Sequence, residues 1–562
     1  MIDIAVSNMK KNFGFKNVFD GFNFEALTGE KIGLIGPNGC GKTTLFKMIM
    51  KKENPDSGII TIRKDVKIGL LKQIPFLQEE NISVQEFLSR SFEKVYEIEI
   101  KLKELENKMT VSSGQDLEKI LNQYADLQQK FIDLDGYTIE SKINEICNKF
   151  RIDGKLLSRR VSDLSGGEGT IISLASLMLS NPDILLLDEP TNNLDIDTLE
   201  WLGGYLKNYS GTIIISSHDR YFLDQVTTKT VLIEQGKSEI FNGNYTYFLK
   251  ENERRILSEF EQYKDQQKMI EAMKRKIKQL QEFGRLASPS GESFFKRAVS
   301  IQKRLDKIEL LKRPEEQKEI PINFKMDSRS GNQVLLVNNL KLDVSSKQLL
   351  KNVSFNIYFK DTVCLMGKNG CGKSTLIKQI IQLYNSDDTL DNENIKFGSN
   401  VLIGYIPQII EFDDDNETIL SYIKNFYNGT ETHLRASLAK FLFNGDSIFK
   451  RVGNLSGGEK VRIKLFELMQ KNVNFLIMDE PTNHIDITTK EVLESALKDF
   501  PGTILFISHD RYFINELAQK ILYIEDKKIK EYLGNYDYFK EQKIKQLLTP
   551  ETNSQKGSRR LK

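Results

Sequence analysis

Five sequence motifs occur twice in this chain, in the same order in both halves. A glycine-rich loop, GPNGCGKTTL at residues 36–45, recurs 331 residues later as GKNGCGKSTL. Four further motifs recur after a constant 291 residues: LSGGE, DEPTNNLD (as DEPTNHID), SHDRYF and GNYTYF (as GNYDYF). Shared order and constant spacing are the signature of an internal repeat. Because each glycine loop lies between a strand-like and a helix-like run, we expect two α/β domains of the same fold in tandem.

Composition excludes several classes of protein. The chain has 562 residues, of which 39% are hydrophobic and 28% charged, which is enough material for several folded domains. No apolar run is long enough to cross a membrane and the first residues lack a signal-peptide core, so we expect a cytosolic protein with no membrane partner. The four cysteines do not form a disulfide framework. Because the net charge is only +2, nucleic-acid binding would require local clusters of charge.

The first half has 40 more residues than the second between its glycine loop and its LSGGE motif. These residues lie near 92–147, where apolar residues recur at three- and four-residue steps on both sides of a Ser-Ser-Gly break. The pattern predicts a helical hairpin inserted in the first domain, which we call the arm. The first domain is then predicted to span residues 1–248 and the second residues 321–542.

A second segment outside the repeat, residues 249–320, joins the two domains. Its first part has apolar residues seven apart, and after the sequence LASPSG the apolar spacing becomes 4-3-4-3. We expect two long antiparallel helices, called the linker, with a connecting tip near residues 283–295. Residues 543–562 are predicted to be a short basic tail.

The linker is strongly basic around its tip. Residues 274–313 contain 12 Lys or Arg and 4 Asp or Glu. A solvated coiled-coil face is also charged, but a one-signed excess at a projecting end favours nucleic-acid binding. No sequence-reading motif is present, so the expected partner is folded RNA, recognised by backbone and shape, and not DNA. The candidate RNA-binding residues are Lys274, Arg275, Lys276, Lys278, Arg285, Lys296, Arg297, Lys303 and Arg304.

Both glycine loops satisfy the pattern G-x-x-x-x-G-K-[ST]. Their backbone N–H groups can close around a triphosphate beside the positive end of a helix dipole. Lys42 and Lys373 are expected to reach the β- and γ-phosphates, and Thr43 and Ser374 to ligate Mg²⁺. The candidate ATP-binding residues of the loops are Gly36, Pro37, Asn38, Gly39, Cys40, Gly41, Lys42, Thr43, Thr44, Gly367, Lys368, Asn369, Gly370, Cys371, Gly372, Lys373, Ser374 and Thr375.

Paired carboxylates follow an apolar strand-like run in each half. Asp188 and Asp479 suit the Mg²⁺ shell, whereas Glu189 and Glu480 suit activation of the attacking water. Adjacent residues can take these two roles because side chains alternate along a strand. His218 and His509 follow further strand-like runs at the same position of each repeat, from which they could contact the γ-phosphate. The candidate catalytic residues are therefore Glu189, Glu480, His218 and His509.

The LSGGE motif, between glycine loop and DEP strand, resembles the signature of the ATP-binding cassette superfamily. There two cassettes face head to tail, and each ATP lies between one glycine loop and the opposite signature. The resemblance implies that Ser165, Gly166 and Gly167 face the nucleotide on Lys373, and that Ser456, Gly457 and Gly458 face the one on Lys42. It also makes Gln73 and Gln408 the Q-loop residues, as ATP and Mg²⁺ ligands, and Phe13 the aromatic that stacks on adenine. Val344 occupies the equivalent of Phe13 in the second half.

The two cassettes on one chain, the arm, the charged linker and the TNNLD and TNHID sequences resemble the ABC-F family of ribosome-associated ATPases. In that family the linker enters the tRNA exit site and points toward the peptidyl-transferase centre; the ATP-bound form binds, and hydrolysis releases it. The resemblance implies ATP and Mg²⁺ as cofactors. It implies the 70S ribosome as partner, through 23S rRNA and the P-site tRNA. It also implies a monomer whose two cassettes pair with each other.

Three functions remain open at this point. The long linker, of about seventy residues with Phe and Leu at its tip, favours protection of translation against antibiotics that act at the peptidyl-transferase centre. In the family such antibiotics include pleuromutilins, lincosamides, streptogramins A and phenicols. The first alternative is a housekeeping factor that acts on stalled or initiating ribosomes. The second is the ATPase subunit of a membrane exporter, which leaves the arm and the basic linker unexplained.

Overall fold

The structure is a computed structural model, and two compact units make up its described residues. One unit consists of Met1–Asn242 and Ile320–Lys562 and contains both repeats, and the other is Gly243–Glu319. Gln73, the tip residues 287–291 and the tail residues 549–562 lie outside the described residues. The residues described are 1–14, 16–71, 81–110, 113–192, 194–286, 292–311, 328–344, 347–386, 394–427, 429–483 and 485–548.

The first repeat contains two sheets. Its strands are β1 (Ile2–Phe13), β2 (Lys16–Leu27), β3 (Lys31–Ile35), β4 (Ser57–Ile62), β5 (Ile68–Leu71), β6 (Ile184–Asp188), β7 (Thr212–Ser216), β8 (Lys229–Glu234) and β9 (Lys237–Phe241). A three-stranded antiparallel sheet has the order β2-β1-β4, and a six-stranded sheet has the order β5-β6-β7-β3-β8-β9. Neighbours in the larger sheet are parallel except β8 and β9.

The second repeat has the same two sheets. Its strands are β10 (Gln333–Val344), β11 (Lys347–Tyr358), β12 (Thr362–Gly367), β13 (Ile395–Phe397), β14 (Ile403–Ile406), β15 (Phe475–Asp479), β16 (Thr503–Ile507), β17 (Lys520–Glu525) and β18 (Lys528–Tyr532). The small sheet has the order β11-β10-β13 and the large sheet the order β14-β15-β16-β12-β17-β18. The expected pair of tandem α/β domains is therefore confirmed.

The helices follow the same repeat, apart from the arm and the linker. In chain order they are α1 (Lys42–Ile49), α2 (Val84–Ser89), α3 (Glu93–Met109), α4 (Gln115–Asp133), α5 (Ile139–Lys149), α6 (Gly154–Leu157), α7 (Gly166–Ser180), α8 (Ile196–Lys207), α9 (Arg220–Val226), α10 (Tyr245–Leu286), α11 (Glu292–Leu305), α12 (Lys373–Asn385), α13 (Ile419–Lys424), α14 (Glu431–Lys440), α15 (Gly457–Gln470), α16 (Ile487–Lys498), α17 (Arg511–Leu517) and α18 (Tyr536–Leu548). No helix among the described residues is both long and apolar enough to cross a membrane.

The large sheets position the candidate site. Strands β6 and β7 are buried at every position, as expected for parallel strands covered on both faces. In the sheet, β6, β7 and β3 are neighbours, and so are β15, β16 and β12. Because parallel strands end at the same edge of a sheet, the glycine loop after β3, the carboxylates at the end of β6 and the histidine after β7 meet there.

The arm consists of α3 and α4. Val95, Leu102 and Phe131 of these helices form a small apolar core with Ile139, the first residue of α5, and the Tyr124 hydroxyl donates to Glu106 Oε1 at 2.9 Å. The hairpin ends at Asp133, whereas the prediction extended to residue 147; α5 instead packs near α7 in the body of the first cassette.

The linker forms the second unit. Helix α10 has 42 residues, a length of about 63 Å at roughly 1.5 Å per residue. It begins at Tyr245, four residues before the predicted boundary. Phe283 lies beside Phe294, while the Gln266 amide donates to Glu309 O at 2.8 Å, so the returning chain runs antiparallel to α10. The nine candidate RNA-binding residues are all exposed on α10 and α11.

The predicted tail begins too early. Helix α18 continues to Leu548, and Lys543 within it donates to Asp197 Oδ1 (3.2 Å) and to the Tyr523 hydroxyl (3.0 Å). Residues 543–548 therefore belong to the second cassette. The basic sequence alone could not reveal this, since the partners of Lys543 are distant along the chain.

Candidate active site

Each glycine loop places a lysine ammonium inside its own curve. Lys42 Nζ donates to Gly36 O at 2.7 Å, and Lys373 Nζ donates to Gly367 O at 2.8 Å. Gly41, which precedes α1, has φ of +110°, and a Cβ atom there would lie 2.6 Å from the Phe19 ring. Only glycine meets both demands at this position. The loops therefore have the strand–loop–helix form that the sequence predicts.

A hydroxyl group meets a carboxylate at the start of the helix after each loop. Thr43 Oγ1 donates to Asp188 Oδ2 at 2.7 Å, and Ser374 Oγ donates to Asp479 Oδ1 at 3.0 Å. Burial raises the pKa of both carboxyl groups, since it removes water from their charged form. No group of three or more His, Cys, Asp or Glu side chains in the described part of the chain is arranged to hold a metal ion. Each hydroxyl–carboxylate pair offers the hard oxygen donors that Mg²⁺ shares with nucleotide phosphates.

The glutamates Glu189 and Glu480 have the same unusual backbone conformation. Both have φ of +51°, in the left-handed region where non-glycine residues are strained. Their backbone N–H groups donate to Ser216 O (2.8 Å) and Ile507 O (3.0 Å), which fixes each glutamate to the neighbouring strand. Such strain is typical of functional positions, and no sequence motif indicates it.

A histidine lies against each glutamate. The His218 backbone N–H donates to Glu189 Oε2 at 3.2 Å, and its Nε2 atom lies 3.5 Å from Glu189 Oε1. The corresponding distances from His509 to Glu480 are 3.3 and 3.2 Å. The predicted catalytic residues therefore come together as two matching pairs.

Burial determines the protonation of these pairs. It raises the pKa of Glu189 and of Glu480 to about 7. Burial, and then the Lys42 charge, lower the pKa of His218 to about 3; burial and Lys373 have the same effect on the pKa of His509. At neutral pH both imidazoles are uncharged, and each carboxyl group is near its midpoint, where it can accept a proton readily.

The candidate catalytic residues of both cassettes line one cavity of about 870 Å³. Most of both glycine loops, both glutamates and both histidines line it, together with Phe13, Gly167 and Gln408. Other predicted ATP-binding residues do not line this cavity: Gly36, Pro37, Cys40, Gly367, Lys368, Cys371, Ser165, Gly166, Ser456, Gly457 and Gly458. Phe13 is about half exposed at the end of β1, and Val344 has the same position at the end of β10.

The signature sequences begin two helices. Ser165 caps α7 and Ser456 caps α15, in both cases with a capping box formed with the glutamate three residues later. The serine and glycines of each signature therefore surround a helix N-terminus, where backbone N–H groups and the helix dipole favour phosphate.

The two cassettes contact each other through charged residues that the sequence analysis did not single out. Arg511 Nη2 donates to Asp219 Oδ2 at 3.3 Å, and Lys490 Nζ donates to His218 O of the first cassette at 2.9 Å and to Asp510 Oδ2 of its own cassette at 2.6 Å. Arg220 forms an ion pair with Glu494. The two Asp and two Arg residues of these contacts, Asp219, Asp510, Arg220 and Arg511, lie in the repeated SHDRYF motif, which could have indicated them. Nothing in the sequence indicates Lys490 or Glu494.

Two cassettes with these loops, carboxylates and signatures define an ATP-binding cassette ATPase. A family model described as ABC transporter matches residues 19–192 and 350–483, and a second model of the same description matches residues 231–324. The protein is thus an ATP-hydrolysing enzyme. Its similarity to two F-family members of Arabidopsis thaliana places it more narrowly: the chain belongs to the ABC-F family.

Three relatives show the extent of this similarity. The ATP-binding protein YdiF of Bacillus subtilis is 39% identical, over 99% of this chain and 85% of the relative. ABC transporter F family member 2 of Arabidopsis thaliana is 35% identical, over 96% and 79%. The energy-dependent translational throttle protein EttA of Escherichia coli K12 is 32% identical, over 95% and 94%.

Solved structures share the fold at low sequence identity. The RNase-L inhibitor has a TM-score of 0.60 at 14% identity, covering 96% of this chain and 92% of its own. The archaeal ribosome recycling factor aABCE1, in complex with the stalk protein aP1, has a TM-score of 0.58 at 15% identity, with the same coverage. These likenesses agree with the tandem arrangement of two cassettes.

Proposed function

We propose that the chain hydrolyses ATP at two composite sites and uses the resulting change at the cassette interface to bind and release ribosomes. The observation that supports the hydrolytic part is the matched arrangement in both cassettes. Each has a lysine in the loop, a hydroxyl on a carboxylate, and a glutamate beside a neutral histidine.

At each site the glutamate is the proposed general base. Glu189 or Glu480 takes a proton from water while the water oxygen bonds to the γ-phosphorus. The bond from that phosphorus to the β–γ bridging oxygen breaks, and the bridging oxygen leaves as part of ADP. His218 and His509, uncharged at neutral pH, each donate a hydrogen bond to a γ-phosphate oxygen.

Mg²⁺ fits the hydroxyl–carboxylate pairs. Thr43 and Asp188 would hold it in the first cassette and Ser374 and Asp479 in the second, with Gln73 and Gln408 as further ligands. Bound there, the ion neutralises charge on the β- and γ-phosphates.

The opposing signatures complete the two sites in this proposal. Ser165, Gly166 and Gly167 serve the nucleotide on Lys373, and Ser456, Gly457 and Gly458 serve the one on Lys42. The supporting observation is that one cavity is lined by both glycine loops and by Gly167 of the first signature. The backbone N–H groups that begin α7 and α15 are suited to the terminal phosphates.

The ribosomal part of the proposal depends on the linker. Its nine exposed cations lie on two paired helices, which suits the phosphates of folded RNA. The name of its relative EttA, a translational throttle protein, also supports a role in translation. The proposed partner is the 70S ribosome, with the basic helices on 23S rRNA and the P-site tRNA.

The finer proposal is protection of translation against antibiotics that act at the peptidyl-transferase centre. It is supported by the end of the linker, where Phe283, Leu286 and Phe295 are exposed. Large apolar side chains exposed on paired helices can pack against unstacked RNA bases. A housekeeping role in translation is the second candidate, and the similarity to EttA along 94% of that protein favours it.

Pelleting with 70S ribosomes tests the partner. The Glu189→Gln/Glu480→Gln protein should be retained with ATP and released without it, and the same protein with Lys274, Lys276 and Lys278 changed to Gln serves as the control for the linker. Absence of ATP-dependent retention at physiological salt would refute the ribosomal proposal. Recovery with membrane vesicles instead would favour the ATPase subunit of an exporter.

Cell-free translation separates the two ribosomal roles. With a pleuromutilin, lincosamide, streptogramin A or phenicol present, the native chain should restore protein synthesis, and a chain lacking residues 285–294 should not, although its ATPase activity is retained. If neither chain restores synthesis under any drug while both bind ribosomes, the housekeeping role is the better account.

A further inference from the structure

The cassette interface is not symmetric, because one helix carries a pair of charges that its repeat partner lacks. On α16, Lys490 and Glu494 lie one turn apart. At the equivalent positions of α8, 291 residues earlier, the chain has Leu199 and Gly203. A Cβ atom at Gly203 would lie 2.6 Å from Gln225 Oε1, so a side chain there would require the Gln225 amide to move. The asymmetry is therefore a difference between two equivalent helices.

Lys490 connects the second cassette to the catalytic histidine of the first. Its Nζ atom donates to His218 O at 2.9 Å and to Asp510 Oδ2 at 2.6 Å, and only 6% of the side chain is exposed. The N–H group of the same His218 donates to Glu189 Oε2 at 3.2 Å. A hydrogen bond from a buried ammonium is among the stronger polar contacts in a protein.

Glu494 holds the same segment from the other side. It pairs with Arg220, two residues after His218, and the Arg220 guanidinium lies 4.0 Å from the centre of the Tyr512 ring. The turn that carries His218 is thus fixed to the second cassette at two points. At the other site, His509 contacts Glu480 in the same way. The residue equivalent to Lys490 there is Leu199, whose side chain cannot donate a hydrogen bond to the carbonyl group of His509.

We propose that Lys490 is a positioning residue, supplied by the second cassette, for hydrolysis of the ATP bound to Lys42. Separation of the cassettes breaks the Lys490–His218 bond, so the backbone of His218 has this additional support only while the interface is closed. Among the residues that the structure describes, the site of Glu480 and His509 has no equivalent link, and it is less dependent on this contact. The inference depends on the proposed roles of Glu189 and His218 in hydrolysis, and it is independent of ribosome binding.

The test measures each site separately in the full-length chain without ribosomes. The Glu480→Gln chain reports hydrolysis at Glu189, and the Glu189→Gln chain reports hydrolysis at Glu480. Adding Lys490→Met should lower kcat roughly ten-fold in the first background and less than two-fold in the second, with KM for ATP changed less than two-fold in both. Leu199→Met, at the equivalent position of the other repeat, is the matched control and should show no such selectivity.

A merely structural role predicts a different pattern, in which Lys490→Met weakens the interface and slows both sites alike. That result, or an unchanged kcat in the Glu480→Gln background, overturns the proposal. If Lys490→Met alone does not fold, Lys490→Met/Asp510→Asn removes the unpaired buried carboxylate as well, and the same ten-fold loss is expected at the Glu189 site. If the Glu189→Gln/Glu480→Gln chain hydrolyses ATP at the native rate, the roles of the glutamates fail and the inference fails with them.

Discussion

The double substitution Glu189→Gln/Glu480→Gln should remove ATP hydrolysis and leave ATP binding intact. Gln has the same length as Glu and retains an oxygen that can accept the backbone N–H of His218, 3.2 Å from Glu189 Oε2, or of His509. Lys42 and Lys373 remain held by their own loops. The substitution therefore removes the proton acceptor and little else.

The expected size of the effect follows from that single loss. Removal of a general base lowers the rate by about 10²- to 10⁴-fold, so phosphate release at saturating ATP and Mg²⁺ should fall to below one hundredth of the native rate. The affinity for a fluorescent ATP analogue should change less than three-fold. The residual turnovers of the two single variants should add up to about the native turnover if the two sites act independently.

Two outcomes would contradict this account. A double variant with more than a tenth of native turnover would show that neither glutamate is the base. A large loss of nucleotide affinity would show that the carboxylates act in binding. Measuring binding and phosphate release on the same preparation distinguishes these outcomes from misfolding.

Three further predictions concern stability and RNA binding. Gly41→Ala should destabilise the first cassette by about 2–4 kcal/mol, because of backbone strain and overpacking against Phe19. The loss should appear as a lower urea midpoint of unfolding, followed by the fluorescence of Trp201 in that cassette. Gly372→Ala in the second cassette, whose Cβ meets Leu349 at 3.1 Å, should leave that midpoint unchanged. Burial raises the pKa of Glu494 to about 6, so protonated Glu494 stabilises the fold below its unfolded pKa of 4.5, and this stabilisation is lost as pH rises through 6. Gln does not titrate. The free energy of unfolding of Glu494→Gln, minus that of the native chain, should therefore be about 2 kcal/mol higher at pH 8 than at pH 4 in paired thermal-unfolding scans. Changing Lys274, Lys276 and Lys278 to Gln should weaken ribosome pelleting, with ATPase activity unchanged. The slope of log binding constant against log salt concentration should become less steep by up to about one per lost phosphate contact.

The catalytic centre could be predicted from the sequence because its parts are local motifs repeated twice. The glycine loop, the DEP strand end and the SHD turn each carry their chemistry within a few residues, and parallel strands bring such ends to one edge of a sheet. The presence of two linker helices also follows from apolar spacing, which is itself a local property. In the structure α10 is longer than the spacing alone indicated, because its first turn carries the buried Tyr245 and Phe248 of the repeated GNY motif.

The interface contacts could not be predicted in this way. Lys490 and His218 are 272 residues apart, and Arg220 and Glu494 are 274 apart. A charged residue on a surface helix is most often solvated, so Lys490 carries no local sign of its buried position. The strained backbone at Glu189 and Glu480 is likewise a consequence of the strand-to-loop geometry, which sequence letters do not record.

The same contacts bear on the proposed control of cassette pairing by nucleotide. Charged pairs that cross the interface include Arg511 with Asp219 and Arg220 with Glu494, which are buried, and Lys540 with Glu200 and Lys543 with Asp197. Removing charges from water costs about as much as a buried ion pair returns, so such pairs fix the register of two surfaces more than they hold them together. The proposed function then requires a closed pairing that is close to balance without nucleotide and is decided by phosphate contacts at two sites. Loss of a γ-phosphate would remove part of that difference, and the buried charges would favour separation once water reaches them.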